Sequence, residues 1–500
     1  MKNYLGELTS SEWDNLGLAY SEDARNFFSD EKVFSYANQQ KSVTYIKNRE
    51  IPKKGISFDE VRQEIVEHVI PGSIHQHSKN YLAFPDKGSL VSSQYATILN
   101  AALNQNAIAE DKSAPTGTYV ETAVVHWMRK LIGYIDDETP FPESALELGG
   151  AFVTGGVLAN TIALLGARQK RFPDSKAKGF ANLNCTPKVI VPGETMSHYS
   201  HFGSSWWLGI GTDNVIETPC GHDARIDQVE LEKTIIASHE RNEPIVAVIV
   251  VMGDSRTNTL EDLPGLYEIT KRHNVWLHVD ACHGGILMFD HTFKHANKHI
   301  LGYSDSLTFD PHKHFGVPYS GSVVLFKDAQ NLADIGSNTD ITIAYGSADI
   351  GQVTPFIGSK SLDALKIYAA ILQLGLEGIE DYINKRKRLA RQWAERLNQS
   401  RYFISLHKPE LFAVAFSVKP NDTDTPEDIT RKNIALHNAL YKAGDVVLHK
   451  FKIRDYRNVL RFGKSQDITG LGSFIGSDNY TFDDLDKLIA ALEKTYEGCF

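Results

Sequence analysis

Ser306-Leu307-Thr308-Phe309-Asp310-Pro311-His312-Lys313-His314-Phe315 is the stretch that decides the predicted fold. It begins as a short apolar run and ends in polar residues, and a second apolar run follows at Ser322 to Phe326. Proline and glycine residues between the two runs are typical of a turn, so the pattern predicts a strand, a tight turn and a strand. Lys313 then lies at the tip of a turn between two buried segments.

Lys313 allows two interpretations. It is a solvated charge on a turn, or its amine is a nucleophile that forms a Schiff base with a carbonyl group. Lysines suit the second task because burial and cationic neighbours lower the pKa of the ammonium group. The local sequence leaves both interpretations open, and the choice depends on what else the chain supplies nearby.

The composition is that of a globular protein and excludes some classes of partner. The chain has 500 residues, 42% of them hydrophobic and 23% charged, and a net charge of -10. A chain of this length predicts two or three structural units. The negative charge excludes a basic face for nucleic acid or anionic lipid. Residues 1–14 have no apolar core of signal-peptide length, and the longest apolar runs are too short to cross a bilayer, so we expect a cytoplasmic location.

The four cysteines carry no predicted chemistry. They are widely spread and form no CxxC pair. Neither a disulfide framework nor a zinc cluster is therefore indicated, and no metal site is predicted.

The chain divides into three predicted regions. Residues 1–90 form a helical arm, in which the helix that opens at Ser57 is expected to run to Val69. Residues 91–375 alternate between helices and short β-branched strands, which predicts an α/β domain with a mostly parallel sheet. Residues 376–500 form a smaller α+β domain, in which Gly470 to Asn479 is interpreted as an insertion.

A glycine-rich turn, Gly149 to Val157, precedes a predicted helix that begins near Leu158. Backbone N–H groups and the positive end of the helix dipole converge at such a turn, which makes it a candidate anion site. The spacing of a dinucleotide fingerprint and the lysine of a P-loop are both missing. A purely structural turn is the alternative.

Two side chains at predicted strand ends could serve a flat cofactor. Asp280 follows an apolar strand, where ligands of open α/β sheets bind. It either caps a following helix or pairs with the cationic ring nitrogen of a pyridoxal cofactor. Such a cofactor accepts electrons from the substrate only while that nitrogen is protonated. His198 is either a hydrogen-bonded structural residue or a ring that stacks on the cofactor.

The glycine-rich turn, His198, Asp280 and Lys313 occur in this order, each at a strand end or turn. In this set the chain resembles the amino-acid decarboxylases of group II, the glutamate/aromatic group, which depend on pyridoxal 5'-phosphate (PLP). The resemblance runs from about Ile56 to the carboxy terminus. It implies an α/β fold of the fold-type I PLP-dependent transferase class, with a helical arm and a small carboxy-terminal domain.

The resemblance also implies roles for individual residues. Lys313 would bind the cofactor covalently, His198 would stack on its ring, and Tyr345 would return a proton to the substrate carbon. Phe84 would line the substrate pocket and Arg461 would bind a substrate carboxylate. The implied cofactor-binding residues are Gly156, Val157, His198, Ser255, Asp280, Ala281, His312 and Lys313.

Two carboxylates depart from the family pattern. Asp254 replaces a usual threonine and Asp310 a usual asparagine, both close to the expected phosphate. They would repel a phosphate dianion unless they face away or meet Arg256.

The resemblance implies α-decarboxylation of an acidic or aromatic L-amino acid to the amine and carbon dioxide. Alternatives are another PLP reaction, such as oxidative decarboxylation to an aldehyde, a carbon–carbon lyase reaction or transamination. A non-catalytic scaffold protein is a further alternative. The implied partners are the amino-acid substrate and a second copy of the chain, in a homodimer with exchanged arms and the active site at the interface.

Overall fold

The computed structural model describes residues 7–29, 32–85, 88–180, 183–193, 195–291, 293, 299–337, 346–463, 466–476 and 479–500. The strands are β1 (Gly150–Val153), β2 (Lys188–Pro192), β3 (Val215–Thr218), β4 (Ile245–Val251), β5 (Trp276–Asp280), β6 (Ser306–Phe309), β7 (Ser322–Phe326), β8 (Phe403–Ser405), β9 (Ala413–Val418), β10 (His449–Arg454) and β11 (Asp467–Phe474). The helices are Ser10–Phe28, Tyr36–Asn48, Phe58–His68, Val91–Leu103, Glu110–Ser113, Gly117–Leu131, Gly156–Arg171, Ser175–Lys178, Tyr199–Trp207, Gln228–Glu240, Leu263–Arg272, Pro311–His314, Ala329–Ala333, Ala364–Gln399, Pro426–Ala443 and Phe482–Cys499.

The large sheet has seven strands in the order β1-β7-β6-β5-β4-β2-β3. The run from β6 to β3 is parallel, whereas β7 is antiparallel to both β6 and β1. Strand β4 is apolar throughout and is buried along nearly its whole length, because helices cover both faces of a parallel sheet. The predicted α/β class with a mostly parallel sheet is confirmed.

The strand directions bring several strand ends to one edge of this sheet. Strands β5 and β6 end there, and the antiparallel β7 begins there. Strand β1 ends beside the start of β7, with Val153 opposite Ser322. Residues that follow β1, β5 and β6 in the sequence are therefore neighbours in space.

The turn after β6 differs from the predicted tight turn. Pro311–His314 forms one turn of helix directly after Asp310. The proline ring fixes φ near the helical value and lacks an N–H group, which suits the first position of a helix. Lys313 therefore projects from a short helix, and the segment back to β7 completes the reversal of the chain.

The second sheet is antiparallel and has the order β10-β11-β9-β8. Its central strand β11 includes Gly470, which pairs with Phe451 of β10. The first five residues of the segment interpreted as an insertion, Gly470 to Asn479, therefore belong to β11. That interpretation stays a prediction.

A long helix, Ala364–Gln399, connects the regions of the two sheets. Its backbone leaves the helical conformation at Gly375, where φ is 61° and ψ is 176°. A positive φ favours glycine because no Cβ atom is present to clash. Gly375 thus separates two helical segments. The break lies at the predicted boundary between the second and third regions, which stays a prediction.

The amino-terminal arm begins with helices that are capped as the sequence predicts. Ser57 caps the helix Phe58–His68, and Glu60 accepts a hydrogen bond from the backbone N–H of Ser57 at 2.7 Å. The arm helices expose large apolar side chains, including Trp13, Leu18 and Ile65. Within the described parts of the chain, no helix has the length and apolar composition that crossing a membrane requires.

Candidate active site

A cavity of about 390 Å³ lies at the sheet edge where β1, β5 and β6 end. Among the residues that the structure describes, twenty-four line it. Eight of them are residues that the sequence analysis selects, namely Phe84, Gly156, Val157, His198, Ser255, Asp280, His312 and Lys313. The fold thus brings these eight residues together, although Phe84 and Lys313 lie 229 positions apart in the chain.

The Lys313 side chain is directed into this cavity and is 22% exposed. Its Nζ atom lies 3.1 Å from Oδ2 of Asp310, a buried carboxylate whose Oδ1 accepts a hydrogen bond of 2.5 Å from the Ser322 hydroxyl. Burial by itself lowers the pKa of Lys313, but the neighbouring groups, Asp310 first and then Cys282 and Asp280, together outweigh it and hold the pKa above its ordinary value. Lys313 is therefore not a solvated turn residue.

Asp280 ends β5 with its carboxylate held by three hydrogen bonds. Oδ2 accepts one from His201 Nε2 at 3.0 Å and one from Asn160 Nδ2 at 2.7 Å, and Oδ1 accepts the backbone N–H of Cys282 at 3.2 Å. Burial alone would raise the pKa of Asp280, but the hydrogen bond from His201 leads the effects that keep it well below its ordinary value. Asp280 is an ionised carboxylate at the cavity wall.

A buried polar chain continues behind Asp280. The side chain of Asn160 contacts His278 Nε2 at 3.0 Å, and His278 Nδ1 contacts the Ser306 hydroxyl at 2.9 Å. Burial lowers the pKa of His278 to about 4, so this ring is neutral. Asn160 and His201 are not predicted from the sequence. Their positions could have indicated them, because Asn160 lies in the first turns of the helix after the glycine-rich turn and His201 lies three residues after His198.

His198 caps the helix Tyr199–Trp207, and its Nδ1 atom lies 2.7 Å from the Ser200 hydroxyl. Burial lowers the pKa of His198 to about 4, because the low-polarity surroundings disfavour the imidazolium form. A neutral, flat ring held by its own helix cap therefore forms part of the cavity wall.

The glycine-rich turn ends in the helix Gly156–Arg171, whose first two residues, Gly156 and Val157, line the cavity. Within the described residues no side chain caps this helix start, and the first N–H groups of a helix have no partner inside it. A Cβ atom on Gly156 would lie 2.6 Å from Cys282 Sγ and 2.7 Å from Asp310 Oδ2. Only glycine allows so close an approach, which leaves the N–H groups available to an anion.

The two family departures take different positions. Asp254 is buried and accepts hydrogen bonds from the backbone N–H groups of Arg256 at 2.7 Å, Thr257 at 2.9 Å and Thr259 at 3.0 Å. Its carboxylate thus closes its own loop and does not line the cavity, whereas Asp310 does.

Four further residues complete the comparison with the sequence analysis. Ala281 is fully buried beside Asp280 and is not part of the cavity lining. Arg461 is exposed, has a φ of 64° and lies outside the lining of this single-chain cavity. Tyr345 falls outside the described residues. His449 of β10, which the sequence analysis missed, lines the cavity and stacks on Phe84 with ring centroids 5.4 Å apart.

These groups match the parts of pyridoxal phosphate one by one. An uncapped helix start suits a phosphate, an ionised and buried carboxylate suits a cationic ring nitrogen, and a lysine in the same cavity suits an aldehyde. Together, fold and cavity define an α/β protein built to hold a PLP-type cofactor.

Comparison with known proteins agrees with this class. Residues 41–419 match the family model described as the pyridoxal-dependent decarboxylase conserved domain. The chain is 26% identical over 428 residues to the L-2,4-diaminobutyrate decarboxylase of Acinetobacter baumannii, covering 81% of this chain and 80% of that protein. It is also 26% identical over 404 residues to the aspartate 1-decarboxylase of Aliivibrio fischeri, covering 78% of this chain and 71% of that protein.

Solved structures share the fold at low sequence identity. Mouse CSAD in apo form superposes with a TM-score of 0.83 at 20% identity, covering 96% of this chain and 99% of that chain. Oryza sativa TDC with PLP and tryptamine superposes with a TM-score of 0.83 at 17% identity, covering 99% of both chains.

The chain belongs to the family of pyridoxal-dependent decarboxylases. It is a carboxy-lyase that acts on an amino acid, and its cofactor is PLP.

Proposed function

We propose that this protein carries out the non-oxidative α-decarboxylation of an acidic or aromatic L-amino acid, releasing the amine and carbon dioxide. The observation that carries the proposal is the presence of the Lys313 amine and the ionised Asp280 carboxylate in one cavity beside an uncapped helix start. The bound cofactor supplies a conjugated cation that accepts the electrons left when carbon dioxide departs.

The proposed residue roles follow from position and charge. Lys313 attaches the cofactor, and Asp280 keeps a proton on the ring nitrogen because its own pKa is low. The neutral His198 ring packs on the cofactor face, Ala281 lies next to the ring, and Tyr345 delivers a proton to the substrate carbon.

The phosphate is proposed to be bound by Gly156, Val157, Ser255 and His312. The first two belong to the helix start, where N–H groups and the helix dipole favour an anion. Ser255 and His312 line the same cavity and could donate further hydrogen bonds.

Different observations favour the acidic and the aromatic substrate classes. Its charged lining residues in the described part of the chain are Lys313, Asp280 and Asp310, which leaves no cation for an acidic side chain unless Arg461 enters from a second copy. Phe84 and His449 form an aromatic wall that suits a ring. A relative named for aspartate decarboxylation favours the acidic class, and a structural neighbour solved with tryptamine favours the aromatic class.

A homodimer with exchanged arms is part of the proposal. The arm helices expose Trp13, Leu18, Phe58 and Ile65, which are 46%, 67%, 53% and 47% accessible in the single chain. Several large apolar side chains exposed on the same arm favour burial in a protein interface. Light scattering on the purified protein at several concentrations tests it, and a stable monomer would contradict it. A cytoplasmic location stays a prediction that cell fractionation tests.

The test of the activity combines spectroscopy with product analysis. Absorbance between roughly 330 and 430 nm, where bound pyridoxal cofactors absorb, is recorded before and after addition of acidic, aromatic and basic amino acids, including 2,4-diaminobutyrate. Carbon dioxide is trapped and products are identified in the same samples. We expect amine and carbon dioxide from one class, and loss of the cofactor band in Lys313→Ala. An aldehyde product would replace the proposal with oxidative decarboxylation.

Two variants separate the substrate classes. If the substrate is aromatic, Phe84→Ala should lower kcat/KM about fivefold, since a contact between aromatic rings contributes about 1 kcal/mol, and Arg461→Met should change it little. If the substrate is acidic, the order reverses. Equal and small effects of both variants would contradict both residue assignments.

A further inference from the structure

The Asp310 carboxylate occupies a position where the mechanism does not need a negative charge. It is 2% exposed and lines the cavity beside the first residue of the helix Gly156–Arg171. A Cβ atom on Gly156 would lie 2.7 Å from Oδ2 of Asp310 and 3.0 Å from its Oδ1, so the carboxylate lies directly against this residue. A phosphate that binds to this helix start therefore comes close to a buried carboxylate.

Of the two Asp310 oxygens, Oδ2 is the one that can contact a phosphate bound at this helix start. Oδ1 accepts the Ser322 hydroxyl at 2.5 Å, while Oδ2 faces Lys313 Nζ at 3.1 Å and His312 Nε2 at 3.9 Å. Lys313 brings one positive charge, which cannot balance both the Asp310 carboxylate and a phosphate dianion.

Within the described residues no second permanent cation lines the cavity, since its charged lining residues are Lys313, Asp280 and Asp310. His312 Nε2, at 3.9 Å, is beyond hydrogen-bond distance of Oδ2. Asp280 is a second carboxylate, already bound by three donors. Burial, followed by the neighbouring Asp280 and Asp310 carboxylates, raises the pKa of the Cys282 thiol well above its ordinary value, so it stays neutral. His198 is neutral as well, since burial lowers its pKa to about 4. An ionised Asp310 and a phosphate dianion would therefore share the one positive charge of Lys313 in a buried site, which leaves part of the negative charge uncompensated.

We propose that Asp310 binds the phosphate group of the cofactor as a protonated acid, so that the site takes up one proton from solvent together with a phosphate-bearing ligand. One O–H bond forms at Oδ2, and the new O–H group donates a hydrogen bond to a phosphate oxygen instead of repelling it. The inference rests on the proposed assignment of the Gly156 turn as the phosphate site. It makes Asp310 a determinant of cofactor affinity and links cofactor loading to pH.

The test uses cofactor-free protein and ligands that cannot bond covalently to Lys313. Dissociation constants for pyridoxamine 5'-phosphate and for pyridoxamine are measured by tryptophan fluorescence from pH 7 to 9, where the phosphate is a dianion throughout. Both ligands have the same ring and neither bonds to Lys313, so the ratio of the two dissociation constants reports the effect of the phosphate group alone. We expect the dissociation constant for pyridoxamine 5'-phosphate, divided by that for pyridoxamine, to rise with pH in the wild-type protein, approaching about tenfold per pH unit.

Asp310→Asn keeps the shape and the Ser322 contact but cannot ionise. Its ratio should be flat across the pH range, and it should bind pyridoxamine 5'-phosphate about tenfold or more tightly than wild type at pH 9. The matched control is Asp254→Asn, which removes a buried carboxylate that faces away from the cavity, and which should keep the wild-type slope.

A second measurement needs no variant. Calorimetric titration of the wild-type protein in two buffers of different ionisation enthalpy should show about one more proton taken up with pyridoxamine 5'-phosphate than with pyridoxamine. Equal proton uptake, or the same slope in wild type and Asp310→Asn, would overturn the inference and leave the proposed function standing. Failure of the wild-type protein to bind either ligand would instead overturn the assignment of the site, and this inference with it.

Discussion

His201 Nε2 lies 3.0 Å from Oδ2 of Asp280, and the two side chains are 0% and 6% exposed. The hydrogen bond joins the first turn of the helix Tyr199–Trp207 to the end of β5. Because Asn160 donates to the same oxygen, the carboxylate is held from two sides. Its orientation and its charge are therefore determined by residues that do not need to touch the substrate.

Loss of the His201 donor should weaken the action of Asp280. A hydrogen bond to a charged group contributes roughly 1.5–3 kcal/mol, so His201→Phe should lower kcat about ten- to a hundredfold. The KM value should change much less. The pKa of Asp280 should rise, which a pH titration of the cofactor absorbance detects as a shifted midpoint. His201→Gln keeps an N–H donor and should recover most of the activity; equal loss in both variants would point to a packing effect.

The ion pair between Lys360 and Glu121 should contribute strongly to stability. Nζ lies 2.5 Å from Oε1, the two side chains are 6% and 1% exposed, and the same oxygen accepts the backbone N–H of Phe152 at 2.9 Å. Removing one partner of a buried pair leaves an uncompensated charge, so Glu121→Leu should lower the free energy of unfolding by about 3–5 kcal/mol. Urea denaturation measures this change. Asp174→Ala, which breaks an exposed pair with Lys178, is the control and should change stability far less.

Glu261 should make the protein less stable as pH rises. Burial raises its pKa from the ordinary value of 4.5 to about 8, so the folded protein keeps a proton that the unfolded chain releases above about pH 4.5. Between these two values the folded state binds more protons, and the free energy of unfolding therefore falls with increasing pH. Glu261→Gln should flatten the decrease of Tm between pH 5 and 8. Exposed Glu268→Gln should follow the wild-type curve, and parallel curves for all three proteins would contradict the prediction.

His198 should remain uncharged through the neutral range. Burial lowers its pKa to about 4, so its ring carbon resonances in a histidine-labelled, cofactor-free sample should titrate with a midpoint near 4. The spectrum of His198→Asn identifies the resonance by its absence. A midpoint above about 5.5 would show that the ring is more hydrated than its position in the cavity wall indicates.

Much of the fold could be predicted because local patterns specify it. The apolar run Ile245 to Val251 is β4 over the same residues, and Ser322–Phe326 is β7. The segment after Asp310 was predicted as a turn, because proline and glycine outweighed the tendency of Pro311 to begin a helix.

The candidate site could be predicted only in part. Lys313, Asp280 and His198 stand at strand or helix ends that the pattern of apolar residues indicates, and the structure brings all three into one cavity. Their partners were missed because Asn160 lies 120 residues from Asp280 and His201 lies 79 residues from it. No local pattern reports a contact across such distances.

The sequence by itself determined the class of the fold and the residues that can carry the chemistry. Runs of apolar residues and helix caps act on near neighbours in the chain, so they are readable without coordinates. Only the tertiary structure decided that Asp254 turns into its own loop while Asp310 faces the cavity and Lys313. The physical reason is that the direction and charge of a buried side chain depend on the donors packed around it, and those donors come from distant segments.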